Sequence, residues 1–188
     1  MRIHNVEQKS LGWHELRRGK VTGTGLKKIL GTAAARDKYF LELLAERLTL
    51  DDGIEESAMD RGNRLESRAI EEFEKKTGKL VTQIGFCSHD DNPTMAQSPD
   101  GLIQNNGVYA EAVEIKCLSS AHHIEAWLNN EIPKDFYPQC IQYFIVNDAL
   151  QKLYFVLYDP RVTINPIHII ELTREQAEKD IDGYGQRE

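Results

Sequence analysis

Two linked stretches decide the reading of this chain: Met95-Ala-Gln-Ser-Pro-Asp-Gly-Leu-Ile103 and Ala110-Glu-Ala-Val-Glu-Ile-Lys-Cys117. Asp100 sits in a Ser-Pro-Asp-Gly turn, and Asn105-Asn106-Gly107 signals a second turn between the two stretches. The second stretch alternates as a strand does. Ala112, Glu114 and Lys116 therefore share one face, and Val113, Ile115 and Cys117 share the other, apolar face. A hairpin through residues 105–107 returns Asp100 to the side of Glu114, so two carboxylates and an ammonium are expected at one sheet edge. Carboxylates that close repel unless a cation neutralises them. Hard oxygen ligands with room for water suit Mg²⁺ or Mn²⁺. Lys116 is placed to polarise or deprotonate a water.

The rest of the composition bounds the answer. A chain of 188 residues is most simply one domain with a real core. Charged residues make up 28% and hydrophobic residues 40%, the balance of a globular domain rather than a disordered one. No apolar run reaches membrane-spanning length and the N-terminus lacks a signal-peptide pattern, so a cytoplasmic protein without a membrane partner is expected. Cys87, Cys117 and Cys140 are far apart, without metal-ligand spacing, and read as free thiols. A net charge of −7 argues against binding nucleic acid through bulk charge. Any DNA-binding surface must be local or enclosed within an oligomer.

The patterning gives an α+β order. Helices are expected from a Thr22 or Thr24 cap to Gly31, over 36–50, over 57–77 closed by Gly78, from Ser119 or Ser120 to Asn129, and after Pro133 or Pro138. Strands are expected over 79–88, 94–97, 110–117, 151–158 and 164–170. In the strand over 151–158 both faces are apolar, which marks it as interior. A polar helix from Thr173 leads to a ragged tail from Gly183.

Asp100 followed by Glu114-x-Lys116 on a strand resembles the PD-(D/E)xK nuclease signature. The Ser-Pro-Asp-Gly context narrows the resemblance to the phage-type alkaline exonucleases of the YqaJ and lambda exonuclease group. Trp13-x-x-x-Arg17 followed by Val21-Thr-Gly-Thr24 is similar to the element that opens that group. Gly62-x-x-x-Glu66 resembles its Gly-x-x-x-Glu helix, in which the glycine would permit close backbone approach. Tyr137, Gln139 and Gln142 lie in a segment similar to the helix that packs behind its active site. Tyr158-Asp-Pro-Arg161 resembles its Tyr-Asp-Pro-Arg turn. The resemblance spans roughly residues 10–172.

The resemblance implies a restriction-endonuclease-like core, a central mixed β-sheet flanked by helices, in a single domain 1–188. Its end-binding segment is about 10–31 and its catalytic core about 57–172. Asp100 and Glu114, with the carbonyl of Ile115, are the expected metal ligands, and Glu66 supports a second ion. Gln142 is expected near the nucleophilic water, flanked by Gln139. Arg17, Thr24 and Ser98 are the expected 5′-phosphate contacts. His122 stands where a relative carries a phosphate-binding arginine, and a neutral imidazole is the weaker donor. The implied activity is Mg²⁺-dependent, processive 5′-to-3′ digestion of duplex DNA that leaves 3′ single strands for recombination. A ring-shaped homotrimer, a phage-type single-strand annealing partner and a bacterial host cytoplasm belong to the same expectation. The alternatives are a restriction-like or repair endonuclease on the same core, or a non-catalytic DNA-binding module.

Overall fold

The computed structural model describes residues 18–21, 28–49, 58–92 and 95–185, together with Gly12 and Glu15. In chain order its elements are α1 (Ala33–Leu48), α2 (Ala58–Thr77), β1 (Cys87–Ser88), β2 (Ala96–Gln97), β3 (Gly101–Asn105), β4 (Val108–Lys116), α3 (Ser120–Asn129), α4 (Tyr137–Val146), β5 (Lys152–Tyr158), β6 (Ile167–Thr173) and α5 (Arg174–Gly185). The fold is α+β. A four-stranded sheet of order β3-β4-β5-β6 is flanked by helices, and β1 and β2 form a small ribbon of their own.

The connections follow from the strand directions. β3 and β4 are antiparallel and need only a turn. Asn106 and Gly107 supply it with φ of 50° and 87°, the left-handed pair that suits a two-residue hairpin. β4 and β5 run parallel, which demands a long crossover, and α3 and α4 make it. β5 lies between β4 and β6, interior as its two apolar faces predict. One face, Leu153, Phe155 and Leu157, packs with Cys140, Ile141 and Phe144 of α4 and with Ala177 of α5. The other, Tyr154, Val156 and Tyr158, packs with Leu65, Ala69 and Phe73 of α2. Those three recur every fourth residue, so they form one stripe of the helix. Truncating a buried aromatic such as Phe73 typically costs about 3–5 kcal/mol. Arg174 donates to the carbonyls of Phe144, Asn147 and Leu150, closing the end of α4 and tying α5 to it.

Several boundaries differ from the sequence expectation. The strand expected over 79–88 shrinks to β1, with one isolated bridge between Thr82 and Leu102. Two of its hydrophobes find no second layer: Leu80 is 80% and Phe86 66% exposed. Val81 packs inward over Gly101, where a Cβ would collide with it, and the half-buried Ile84 packs against the core on the α4 side of the sheet. The last strand begins at Ile167 rather than 164, because Asn165 closes a turn onto Val162 and Pro166 has no N–H to donate. α1 starts at Ala33, capped by the Thr32 hydroxyl, and ends at Leu48 rather than 50. α5 continues through Gly185, past the expected start of a ragged tail at Gly183. α2 stops at Thr77 with Gly78 at φ 71°, as expected. The close approach expected at Gly62 is not present among the described residues, for a Cβ there would meet nothing within 4 Å. The Thr22 and Thr24 caps, Leu26, the loop 54–57 and the start of the strand expected at Thr94 lie outside the described residues.

Candidate active site

The C-terminal end of β4 opens into a cleft of about 820 Å³. Glu66, Asp100, Glu114, Ile115, Lys116, His122 and Gln139 line it. Of the residues expected in the site, Gln142 and Ser98 do not line the cleft, and Ser98 is exposed. Arg17, Thr24 and Trp13 lie outside the described residues. The expected position at a sheet edge needs correcting. Glu114 and Lys116 end an interior strand, while Asp100 directly precedes the edge strand β3.

Register explains the convergence. Gly101 pairs with Val113, so Asp100 arrives opposite Glu114. Its Oδ2 accepts the Ile115 amide N–H at 2.7 Å. Burial, then the neighbouring Glu114 charge, push the Asp100 carboxyl up to about 7, against the lowering pull of that amide and of Lys116. Glu66 on α2 adds a smaller upward push. Glu114 is fully buried. Its Oε1 accepts from Lys116 Nζ, and its Oε2 accepts from the Tyr143 hydroxyl at 2.7 Å. The same hydroxyl accepts the Asp100 backbone N–H at 3.3 Å. Tyr143 thereby ties both acidic segments to α4. Burial and the Glu114 charge push its phenol far up, so it stays a donor. Lys116 Nζ also sits 5.3 Å from the centre of the Phe136 ring.

The other end of the cleft holds arginines that the sequence reading did not single out as site residues. Arg61 is buried and donates to the Leu118 carbonyl at 2.5 Å. Its Nη2 lies 2.7 Å from Asp159 Oδ1, an ion pair off the hydrogen-bonding direction. Arg161 grips the same carboxylate with Nε at 3.0 Å and Nη2 at 3.1 Å, and Ser120 donates to it at 2.6 Å. Burial raises the Asp159 carboxyl, but the bonds from Arg161 and Ser120 and the Arg61 charge outweigh it and hold it below the usual carboxylate range. Arg61 thus fixes the start of α2, and with it Glu66, to the segments that follow β4 and β5. Burial of these charges arises from segments far apart in sequence, which leaves no local signal. Tyr143, by contrast, directly follows Gln142 in the helix the motif had marked.

At this end Ser119 caps α3, its hydroxyl 2.8 Å from His122 Nδ1. His122 is exposed, whereas His123 is fully buried and bonded to the Asn165 carbonyl at 2.8 Å. The two imidazoles therefore do not share one ion. Among the described residues no three His, Cys, Asp or Glu side chains form a cage for a metal by themselves. Magnesium is commonly held by one or two carboxylates, with water and substrate phosphate completing the shell. The raised Asp100 carboxyl beside Glu114 is the signature of a pair that a cation would relieve. The donor chemistry therefore fits such an ion.

Fold and cleft together define an α+β protein in which two carboxylates and a lysine meet at the end of a central strand. Residues 12–149 match the model of the YqaJ-like viral recombinase domain, and the chain belongs to that family. The fold is similar to that of LHK-Exo, an alkaline exonuclease from Laribacter hongkongensis, with a TM-score of 0.59 and 28% identity over 93% of this chain and 88% of that one. A structure of LHK-Exo in complex with dAMP matches equally well. These neighbours share the PD-(D/E)xK fold. No curated protein sequence matches the chain.

Proposed function

We propose that this protein is a metal-dependent deoxyribonuclease, specifically a 5′-to-3′ exonuclease on duplex DNA. The observation that carries the reading is the meeting of Asp100, Glu114 and Lys116 at the end of β4, with Tyr143 bonded to both acidic segments. Family membership and the likeness to an alkaline exonuclease support it. Asp100, Glu114 and the Ile115 carbonyl would hold Mg²⁺ or Mn²⁺, with Glu66 supporting a second ion. Such ions supply Lewis-acid charge to a phosphodiester.

The chain's own groups do the rest. Lys116 Nζ binds and activates the attacking water; to act as a base it must first give up a proton. Gln139, exposed on the cleft wall, is better placed than Gln142 to orient that water or a phosphate oxygen. Glu66 enters from α2, held in place through Arg61. His122, on the cleft wall, receives the terminal phosphate, and the family resemblance adds Arg17, Thr24 and Ser98 as its further contacts. Processive digestion within a ring-shaped homotrimer, the 3′ single-stranded product and an annealing partner complete the proposal. A ring would also enclose DNA despite the net charge of −7.

The test is digestion of linear and nicked circular duplexes, labelled at either end, with Mg²⁺. Loss of label from 5′ ends of linear DNA alone is expected. Cutting of the circle identifies an endonuclease, and no cutting of either identifies a non-catalytic module.

A further inference from the structure

Among the described residues, three lysines or arginines line the cleft: Arg61, Lys116 and Arg161. Two of them are taken. Arg61 is buried, donates to the Leu118 carbonyl and pairs with Asp159, and its Nε and Nη2 are sealed from solvent. Lys116 is bonded to Glu114. Arg161 differs. Its side chain is 26% exposed, and it gives Nε and one N–H of Nη2 to the fully buried Asp159 carboxylate, so that edge faces inward. A guanidinium carries more N–H groups than one carboxylate can take. A second edge remains, made by Nη1 and the other N–H of Nη2. Nη1 has no hydrogen-bond partner among the described residues and, unlike the Arg61 nitrogens, is open to solvent.

The complement of that open edge is an anion that offers two oxygens side by side, a phosphate or a carboxylate. Charge agrees. Arg61 and Arg161 flank a single buried carboxylate, so the cluster keeps one net positive charge. In a chain of net charge −7, such a local excess is where an anion gains most. We propose that Arg161 binds a phosphate of the DNA strand lying in the cleft through its Nη1–Nη2 edge, while Asp159 holds the other edge. The choice of a DNA phosphate over another oxyanion rests on the nuclease reading; the open edge and the excess charge do not.

The test is fluorescence anisotropy of a short blunt duplex, with a 5′-phosphate or a 5′-hydroxyl, bound to the full chain in Ca²⁺ over a range of salt concentrations. Arg161→Gln removes the charge and keeps a long polar side chain. It should weaken binding about tenfold. It should also make the slope of log affinity against log salt shallower by about one, the mark of one lost phosphate contact. Equal weakening on both duplexes places the contact on a phosphodiester, and weakening of the 5′-phosphorylated duplex alone places it on the terminal phosphate. If Arg161 serves only to hold Asp159 in the fold, the variant should melt earlier but keep the wild-type slope, and that result overturns the proposal. So would unchanged affinity, or a wild type that binds neither duplex. Should Arg161→Gln not fold, Arg161→Lys keeps a charge beside Asp159. Its compact ammonium lacks the second edge, so affinity should fall about tenfold while the slope holds. Wild-type affinity in that variant overturns the proposal equally. A wild type that binds duplex DNA in Ca²⁺ but cuts none in Mg²⁺ overturns only the nuclease reading.

Discussion

The two ends of the cleft are built on opposite terms. At the acidic end each group is fixed from more than one side: Glu114 between Lys116 and Tyr143, and Asp100 by the Ile115 amide and, through its backbone, by Tyr143. At the other end the buried arginine charge is committed to Asp159, while His122 stands exposed. The first arrangement is preorganised, with little freedom left to lose when a phosphodiester arrives. The second offers donors that must be ordered by what they bind. Under the proposed function, the contrast predicts fixed chemistry and adjustable end recognition.

The largest effect should come from the acidic end. Asp100→Ala or Glu114→Ala is expected to lower the Mg²⁺-dependent cleavage rate by at least about 10³-fold, several kcal/mol of lost charge stabilisation. DNA binding measured in Ca²⁺ should survive Asp100→Ala. Glu114→Gln is the gentler companion, since Glu114→Ala also takes away the 2.7 Å acceptor of the buried Tyr143 hydroxyl and leaves it only the Val113 carbonyl at 3.3 Å. Near-normal cleavage by these variants would remove the contrast at its root.

Lys116→Ala should cost about 10²–10⁴-fold in rate, the usual range for a positioned acid–base group. Metal affinity, read by titration calorimetry, should change little. Lys116→Arg should rescue poorly because a guanidinium does not readily deprotonate. An active arginine variant would show that the position supplies charge and not base chemistry.

Tyr143→Phe sharpens the comparison because it removes one hydroxyl and no charge. A hydrogen bond to a charged group is worth roughly 1.5–3 kcal/mol, so the rate should fall about 10–100-fold. Substrate KM should be nearly unchanged, since Tyr143 acts through Glu114. A KM effect with kcat intact would place its role in binding instead.

The unequal legibility of the two ends has a physical basis. Asp100, Glu114 and Lys116 were readable because a strand alternates and a turn reverses it, both local properties of the chain. The helices were readable from apolar spacing, and the interior strand β5 from its two apolar faces. Residues 79–88 carry a similar apolar pattern yet form almost no strand, because pairing depends on distant neighbours that the pattern does not contain. The Arg61–Asp159–Arg161 cluster was hidden for the same reason. It joins α2 to the turn after β5, and only the folded chain shows Arg61 and Asp159 to be buried together with Arg161 closing over them.

End recognition should yield the smallest effects, and they should depend on the substrate. His122 replaces the arginine of the related motif, so Arg17 is expected to carry most of the discrimination for a 5′-phosphate. A charge-assisted contact of roughly 1.5–3 kcal/mol predicts that Arg17→Ala slows 5′-phosphorylated duplexes by about 10–100-fold and barely affects 5′-hydroxyl duplexes. His122→Arg should raise the preference for phosphorylated ends by about tenfold at most. Its side chain starts from an exposed position at the α3 cap, where part of any gain is spent on ordering it. Initial rates on both substrates, at one salt concentration, decide the matter for wild type and the two variants. Equal slowing of both substrates by Arg17→Ala would mean general backbone binding or folding, not phosphate reading. A gain from His122→Arg that rivals the Arg17→Ala loss would show the open end of the cleft to be as preorganised as the acidic one.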